Sequence, residues 1–279
     1  MLANLNDIRP ALDARRVCLA GFDIAGGQTD FLLGVLRACE AARCPALLLL
    51  WAPSTSYMGL EACADLVGFF AKRSAVPVVL HLDHGRSEEL VEQVLDLGFR
   101  SVMFDGSALP LEENIRRTRE MARLAHGRGA SIEGELGQIG SEQGQGVPGE
   151  LTDPDQAVEF IRQTEVDFFA PSVGNAHGFY KSTPRLRFDL IGRIYERTGR
   201  PLSLHGGTGI PMEDVRQAAR LGARKMNVAT LIHKQFSDRI KQAAAAEQFY
   251  WRKATDAGRE AITAAVLEYI RELNLEGLA

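Results

Sequence analysis

The feature that most constrains the fold of this chain is an alternation of short apolar runs with segments of helical periodicity, repeated almost from end to end. Such alternation is typical of a parallel sheet built from βα units. Eight runs have the composition of buried strands, and they cover residues 17–22, 46–51, 76–82, 101–105, 130–135, 166–172, 201–205 and 223–228. Eight parallel strands, each followed by a helix, predict a closed (β/α)8 TIM barrel, because closure removes both exposed sheet edges.

The end of the sequence departs from this alternation and indicates a C-terminal helical extension. Helices are expected near 230–246 and 254–273. Barrels of about 250 residues form one domain, so we expect a single domain over 1–279, with 246–279 as the extension. Five apolar residues of the last helix lie at helical spacing and could dock on the barrel or be buried against a partner. They are Ile262, Val266, Tyr269, Ile270 and Leu273.

Composition excludes several classes of protein. The net charge is −4 and Lys and Arg are scattered, which argues against a nucleic-acid or membrane partner and favours a small substrate. The N-terminus lacks an apolar signal region and no run is long enough to span a bilayer, so we expect a cytoplasmic protein. The four cysteines lack metal-binding spacing and are expected to be reduced, mostly buried thiols.

Polar residues collect where the predicted strands end, and catalytic groups of barrels lie at the carboxyl ends of strands. In chain order they are His81, Asp83, His84, Asp105, Glu133, Glu135, Asn175, His177, His205 and Asn227. His84, His177 and His205 come from the ends of three different strands, or just after them, and are expected to converge on one face. Three imidazoles around an open position are the arrangement of a catalytic zinc. The alternative is that these histidines only hydrogen-bond the loop backbone at the barrel mouth.

Two segments indicate a phosphate site, and a third indicates a lid. HGGTGIP (205–211) and MNVATLIH (226–233) follow strands 7 and 8, where barrels frequently bind phosphate through backbone N–H groups. The segment 136–154 has five glycines and little apolar periodicity, which is typical of a functional lid.

Six motifs, in order and spacing, resemble those of the class II, zinc-dependent ketose-bisphosphate aldolases, from about residue 17 to 245. They are LHLDHG, SVMFDGS, EGELGQIG, GNAHGFYKSTPRLRFD, LHGGTGIP and KMNVATLI. The NVAT segment is most similar to the tagatose-bisphosphate subgroup.

The resemblance implies a role for each matching residue. It makes His84, His177 and His205 the zinc ligands and Asp83 the acid/base, while Asp105 and Glu135 match alternative or second metal positions. The predicted substrate-binding set surrounds the phosphate of dihydroxyacetone phosphate, and in part holds a monovalent cation such as Na⁺ or K⁺. It comprises Gly178, Lys181, Gly206, Gly207, Thr208, Asn227, Ala229 and Thr230. His81 is not a ligand in the family pattern, and packing or a hydrogen bond to a neighbour is its expected role.

The expected reaction is reversible retro-aldol cleavage of a ketose (bis)phosphate to dihydroxyacetone phosphate and an aldehyde. Breaking the bond between C3 and C4 leaves an enediolate, which zinc can stabilise. Asp83 would take the proton of the C4 hydroxyl in cleavage and return it in condensation.

Three positions depart from the family pattern on the aldehyde and lid side. Trp51 stands where a small hydroxyl residue is usual, and Gln248 where an arginine is usual. Both changes suggest a non-phosphorylated or bulkier aldehyde, unless Arg252 or another subunit supplies the charge. In the lid, Gln143 aligns best with a catalytic glutamate of the family, so either Glu142 substitutes for it or proton transfer differs. A drifted but equivalent loop is the alternative.

Two other classes of protein compete with a zinc aldolase. A barrel metallohydrolase also gathers histidines, but such sites commonly begin with His-x-His on strand 1, where this chain has GFDIAG. A non-catalytic regulatory relative is suggested by Trp51, Gln143 and Gln248, although the intact histidines and Asp83 argue against it. The family forms dimers or larger assemblies, so we expect a homo-oligomer, a dimer or tetramer.

Overall fold

A closed barrel of eight parallel strands forms the centre of the molecule in the computed structural model, which describes residues 2–140, 149–246 and 248–279. The strands follow chain order around the barrel, and β8 pairs with β1 to close it. They are β1 (Leu19–Asp23), β2 (Ala46–Trp51), β3 (Val78–Gly85), β4 (Ser101–Phe104), β5 (Ser131–Leu136), β6 (Phe168–Pro171), β7 (Leu202–Leu204) and β8 (Ala223–Val228).

Helices alternate with the strands and cover the outside of the barrel. They are α1 (Leu5–Arg15), α2 (Thr29–Ala42), α3 (Leu60–Ala71), α4 (Glu88–Asp96), α5 (Leu111–Gly127), α6 (Pro154–Thr164), α7 (Phe188–Thr198), α8 (Met212–Arg220), α9 (Thr230–Ala244) and α10 (Trp251–Glu272). A 3₁₀ turn at Ala52–Ser56 follows β2. The prediction of a (β/α)8 barrel with a C-terminal helical extension is confirmed.

The barrel interior is partly polar, which is unusual for a packed core of parallel strands. Ser101 lies 2.8 Å from Nδ1 of His81 and 3.0 Å from Oγ of Ser131, so three neighbouring strands share one buried chain of hydrogen bonds. Buried polar groups are stable only when they are paired. Nearer the carboxyl ends of the strands, Glu133 and Lys225 meet across the barrel with their nitrogen and oxygen 2.9 Å apart.

The C-terminal helix α10 docks on its own chain. Ile262, Val266, Tyr269, Ile270 and Leu273 are all buried. The Tyr269 ring packs edge-on against Phe22 of β1, with the ring centroids 5.8 Å apart. Of the two possibilities left by the sequence, docking on the barrel is therefore the one that the structure shows.

Two smaller features bear on the sequence predictions. The four cysteines are free and buried, as predicted. No described helix combines the length and apolar character needed to cross a membrane.

The contact of α10 with α2 gives a test of the extension. A Cβ built on Gly34 of α2 would lie 3.0 Å from Cβ of Ile262 and 3.1 Å from the carbonyl oxygen of Arg259, both fixed to the backbone of α10. Gly34→Ala should therefore lower the free energy of unfolding by about 1–3 kcal/mol, as overpacking does. Denaturant titration measures this change.

Gly68 of α3 is the matched control, because a Cβ there meets nothing within 4 Å. Gly68→Ala should raise the free energy of unfolding by about 0.5–1 kcal/mol through helix propensity alone. Equal effects of the two substitutions would contradict tight docking of α10 on α2.

Candidate metal centre and substrate cavity

A bulge at the end of β3 turns two adjacent side chains toward the same cavity. In a regular strand Asp83 and His84 would point to opposite faces. His84 instead has a φ of 55°, and the pairing of β3 with β4 shifts register between Leu82 and Gly85. A Cβ on Gly85 would lie 2.7 Å from the carbonyl oxygen of Met103, so the glycine permits this close approach. Strained backbone of this kind is typical of functional sites.

Three imidazoles meet at the mouth of the barrel. One ring nitrogen each from His84, His177 and His205 lies within 4.8 Å of the others. Nε2 of His84 and Nδ1 of His205 are 3.0 Å apart, although 121 residues separate them in the chain. The ring centroids of His84 and His177 are 5.0 Å apart. The convergence expected from the sequence is therefore present in the fold.

The outward nitrogen of two of these rings is held by a buried carboxylate. Nδ1 of His84 lies 2.9 Å from Oδ2 of Asp105, and Nε2 of His205 lies 2.7 Å from Oε1 of Glu133. A carboxylate that receives the outer N–H leaves the inner nitrogen with a lone pair and makes it a better metal ligand. With neither inner nitrogen protonated, the two would face each other as acceptors 3.0 Å apart, an arrangement that fits a shared cation.

Electrostatics distinguish the three rings. Burial, followed by the charges of the two neighbouring histidines, lowers the pKa of His177 to about 3. Burial also lowers the pKa of His205. At His84 burial acts in the same direction, but Asp83, Asp105 and Glu135 outweigh it and raise the pKa to about 10. Of the three rings, only His84 would have to lose a proton in order to bind a metal ion near neutral pH.

A second group of ligand atoms lies on the other side of His84, formed with Asp105 and Glu135. Asp105 is already engaged there, because Oδ1 accepts a hydrogen bond from the hydroxyl of Ser107 at 2.6 Å. Oε2 of Glu135 is buried 3.8 Å from Nδ1 of His84 and has no hydrogen-bond partner among the described residues. Burial, and then the charge of Asp105, raise the pKa of Glu135 well above its ordinary value. Asp105 thus orients His84 in this arrangement. Oε2 of Glu135 is the oxygen left without a partner, and it could bind a second cation.

Asp83 is connected to the same core through an amide. Its Oδ1 accepts a hydrogen bond from Nδ2 of Asn227 at 2.8 Å. Oδ1 of Asn227 accepts one from Nζ of Lys225 at 2.7 Å, which fixes the amide in the orientation that donates to Asp83. Burial raises the pKa of Asp83, but the charges of His84, His205 and Lys225 outweigh it and leave the pKa below its ordinary value. The carboxyl group is therefore ionised and held in place.

These residues open into a cavity of about 340 Å³ at the carboxyl ends of the strands. A cavity of this size is large enough for a small organic ligand. The predicted site residues that line it are Asp83, His84, His177, Gly178, Gly206, Thr208, Asn227, Ala229 and Thr230. Asp105, Glu135 and Gly207 lie behind the lining, and Lys181 is exposed outside it. Glu142 lies outside the described residues.

Four lining residues were not assigned to the site by the family pattern as binding or catalytic groups. They are Asp23, Trp51, Phe179 and His233. Asp23 is the last residue of β1, and catalytic groups of barrels lie at the carboxyl ends of strands, so its position in the sequence could have identified it as a site residue. His233 lies one turn inside α9, and only the fold shows that its Nε2 is 3.1 Å from Oδ2 of Asp23.

A barrel with three convergent imidazoles and a fixed carboxylate in one cavity has the side chains expected of a metal-dependent barrel enzyme. Comparison with known proteins narrows this class. The family model for class II fructose-bisphosphate aldolase matches residues 5–278. The chain belongs to this family, and it is a lyase of the aldolase type.

Three relatives show the extent of the similarity. A fructose-bisphosphate aldolase from Geobacillus stearothermophilus is 38% identical over 259 residues, covering 90% of each chain. A sulfofructosephosphate aldolase from Alkalicoccus urumqiensis is 36% identical over 258 residues, again covering 90% of each. The crystal structure of the YdjI aldolase from Escherichia coli K12 superposes with a TM-score of 0.88 at 31% identity, covering 99% of each chain. The assignment to the tagatose-bisphosphate subgroup stays a prediction.

The different pKa values of the rings predict how many protons leave when a divalent cation binds. At about pH 8, His84 is protonated because its pKa is raised to about 10, whereas His177, with a pKa of about 3, is neutral and so is His205. Binding should therefore release about one proton per ion, and affinity should fall as the pH falls. Calorimetry in two buffers of different ionisation enthalpy measures the number. Release of none, or of two or more, would contradict these protonation states.

The buried ion pair gives a second prediction. Lys225→Met leaves Glu133 unpaired in the barrel and should lower the free energy of unfolding by about 3–5 kcal/mol. The double variant Lys225→Met/Glu133→Gln should recover most of this stability, because both charges are gone. It should still lose about tenfold or more in aldolase turnover, since His205 and Asn227 lose the groups that orient them. A double variant with normal turnover would show that the pair serves packing alone.

Proposed function

We propose that the cation is a single catalytic Zn²⁺ held by His84, His177 and His205, and that the enzyme cleaves a ketose phosphate to dihydroxyacetone phosphate and an aldehyde. The observation that carries the metal proposal is the convergence of three imidazole nitrogens within 4.8 Å, two of them backed by carboxylates. Zinc favours nitrogen ligands in this number when one position stays open. When bound, the ion supplies Lewis acidity toward the carbonyl end of the sugar.

Asp83 is the group that we propose to move the proton of the aldol step. As the bond between C3 and C4 of the ketose breaks, its electron pair remains on the dihydroxyacetone fragment, and the C4 hydroxyl gives its proton to Asp83. The same proton returns in condensation. Asp83 is suited to this because it is ionised, lines the cavity, and has Oδ1 fixed by Asn227 at 2.8 Å. Glu142, which lies outside the described residues, stays a prediction as a second proton carrier.

The phosphate of the donor is proposed to bind between the loops that follow β7 and β8. Helix α9 begins at Thr230 without a side-chain cap from its own N-cap residue, Ala229. The hydroxyl oxygen of Thr208 accepts a hydrogen bond from the backbone N–H of Leu231 at 3.1 Å. The loop after β7 and the start of α9 therefore form one surface. An anion is favoured at such a helix N-terminus. A monovalent cation beside this phosphate, and a contact from Lys181, stay predictions.

The aldehyde is proposed to differ from glyceraldehyde 3-phosphate, being non-phosphorylated or bulkier. Trp51 lines the cavity and, in the pairing of β2 with β3, lies directly opposite Asp83. None of the described residues lining the cavity is a lysine or an arginine that could pair with a second phosphate. The relative named for sulfofructose phosphate supports variation of the sugar within the family.

A comparison of substrates tests the proposed function. With zinc-loaded protein, tagatose and fructose 1-phosphates should be cleaved with a higher kcat/KM than the corresponding bisphosphates, because the second phosphate finds no cation. Release of dihydroxyacetone phosphate, followed through a coupled reductase, measures the rate. Asp83→Asn is the control and should reduce kcat by about 10²–10⁴-fold with zinc content unchanged. A strong preference for a bisphosphate would remove the proposal about the aldehyde.

A homo-oligomer, dimer or tetramer, is also proposed. Three consecutive large side chains before and at the start of α10 are exposed, namely Phe249, Tyr250 and Trp251, with Trp251 68% exposed. Contiguous exposed apolar surface of this kind is typical of interaction sites. Sedimentation velocity of the wild-type chain should show a species of at least twice 30.5 kDa, and Trp251→Glu should dissociate it. A monomeric wild-type chain would contradict the proposal.

A further inference from the structure

A carboxylate and an imidazole form a fixed pair on the wall of the cavity, and the proposed aldol step does not use them. Oδ2 of Asp23 lies 3.1 Å from Nε2 of His233. Oδ1 of Asp23 accepts a hydrogen bond from the backbone N–H of Ala25 at 3.0 Å. The His233 ring packs against Phe31, with the ring centroids 4.9 Å apart. Both side chains line the cavity. The pair is therefore built into the wall rather than formed by chance at the surface.

The order of the strands places this pair on the aldehyde side of the cavity. Asp23, the last residue of β1, lies opposite Leu49 of β2. Trp51, two residues after Leu49 on the same strand, lies opposite Asp83 of β3. The metal ligands lie on the other side of Asp83, and the phosphate loops follow β7 and β8. Dihydroxyacetone phosphate, bound between the imidazoles and these loops, would leave the wall from Trp51 to Asp23 free. The aldehyde fragment, whose oxygen exchanges a proton with Asp83, would then lie against this wall.

The chemistry of this wall selects against a second anion. Nε2 of His233 lies 3.1 Å from Oδ2 of Asp23, so the carboxylate is placed to offset any charge on the ring, and the pair presents no unpaired cation to a second anion. No described lining residue is a lysine or arginine, and the sequence of residues 141–148, SEQGQGVP, contains neither. A phosphate, sulfonate or carboxylate beside Asp23 would lose water without gaining a positive partner.

The same wall suits hydroxyl groups. The carboxylate oxygens of Asp23 accept hydrogen bonds, and so does Nδ1 of His233 when the ring is neutral. Hydroxyl hydrogens can donate to these acceptors, whereas a phosphate dianion has no hydrogen to donate. Trp51 adds an apolar face for the carbon chain, the usual complement of a few placed polar groups in a ligand site.

We infer that Asp23 and His233, together with Trp51, form an acceptor subsite that selects an uncharged polyhydroxy aldehyde and rejects aldehydes with an anionic far end. This inference rests on the proposed function and names the substrate class of its second fragment.

Condensation reactions with matched acceptors test the inference. Zinc-loaded protein and dihydroxyacetone phosphate are supplied with either erythrose or erythrose 4-phosphate, which differ only in the terminal phosphate. The wild-type kcat/KM for erythrose should exceed that for erythrose 4-phosphate by about tenfold or more. Asp23→Asn should narrow this ratio at least about tenfold, because the neutral amide no longer repels the phosphate and can donate to it.

Two further variants make the result specific. His233→Lys places a cation in the same wall at a half-exposed helix position, and it should narrow the ratio as well, even if Asp23→Asn folds poorly. Asp189→Asn removes an exposed carboxylate of α7 outside the cavity and should leave the ratio unchanged.

The outcomes separate the two proposals. Condensation that favours erythrose 4-phosphate in the wild type, or a ratio that neither variant at the wall alters, overturns the inference while the aldolase proposal stands. Absence of condensation with every aldehyde, and of cleavage of every ketose phosphate, overturns the proposed function and the inference with it.

Discussion

The interaction on which the site depends is the ion pair between Lys225 and Glu133, buried in the barrel interior with nitrogen and oxygen 2.9 Å apart. Each partner orients one half of the site. Oε1 of Glu133 lies 2.7 Å from Nε2 of His205 and orients that ring. Lys225 donates a hydrogen bond to Asn227, and Asn227 donates one to Asp83. Two charges removed from water are costly unless each is fully paired. Here they are paired, and one hydrogen-bond network positions both His205, the proposed metal ligand, and Asp83, the proposed proton carrier.

The strands of the barrel hold the residues of this network in fixed positions, which flexible loops alone could not do. Glu133 lies on β5 and Lys225 on β8, and His205 directly follows β7, where its carbonyl accepts a hydrogen bond from Asn175 at 3.1 Å. At β3 the left-handed backbone of His84 brings two neighbouring residues to the same cavity, so that the proposed acid/base and a proposed metal ligand share one strand end. Sites supported by strands and outer hydrogen bonds keep their geometry within the narrow limits that catalysis requires. The wall at the end of β2 carries Trp51, which departs from the family pattern, and we propose that the aldehyde is selected there.

Much of this organisation could be predicted from the sequence, since parallel strands buried on both faces are nearly continuous apolar runs. The run 46–51 and the run 223–228 coincide with β2 and β8. Strand β3 was expected over 76–82 but continues to Gly85, because pairing persists through the polar residues of the bulge. The convergence of the three histidines followed from their places at strand ends.

The rest depends on contacts between distant residues. Lys225 interrupts an apolar run and gives no local sign of burial; its partner Glu133 lies on a strand opposite it in the closed sheet. Asp23 and His233 are 210 residues apart, and only closure of β8 on β1 brings them together. The direction of Asp105 toward His84 rather than toward a second cation is likewise a matter of side-chain geometry. Patterns along the chain indicate which residues lie at the mouth, but not which of them touch.

We propose above all that His84, His177 and His205 share one divalent cation at the mouth of this barrel. X-ray absorption spectroscopy of the zinc-loaded protein tests it directly, because the scattering pattern of imidazole rings differs from that of carboxylates. We expect one zinc per chain, with three imidazole nitrogens at about 2.0–2.1 Å and oxygen completing the coordination. A shell dominated by carboxylate oxygen, or zinc that does not remain bound to the purified chain, would contradict it.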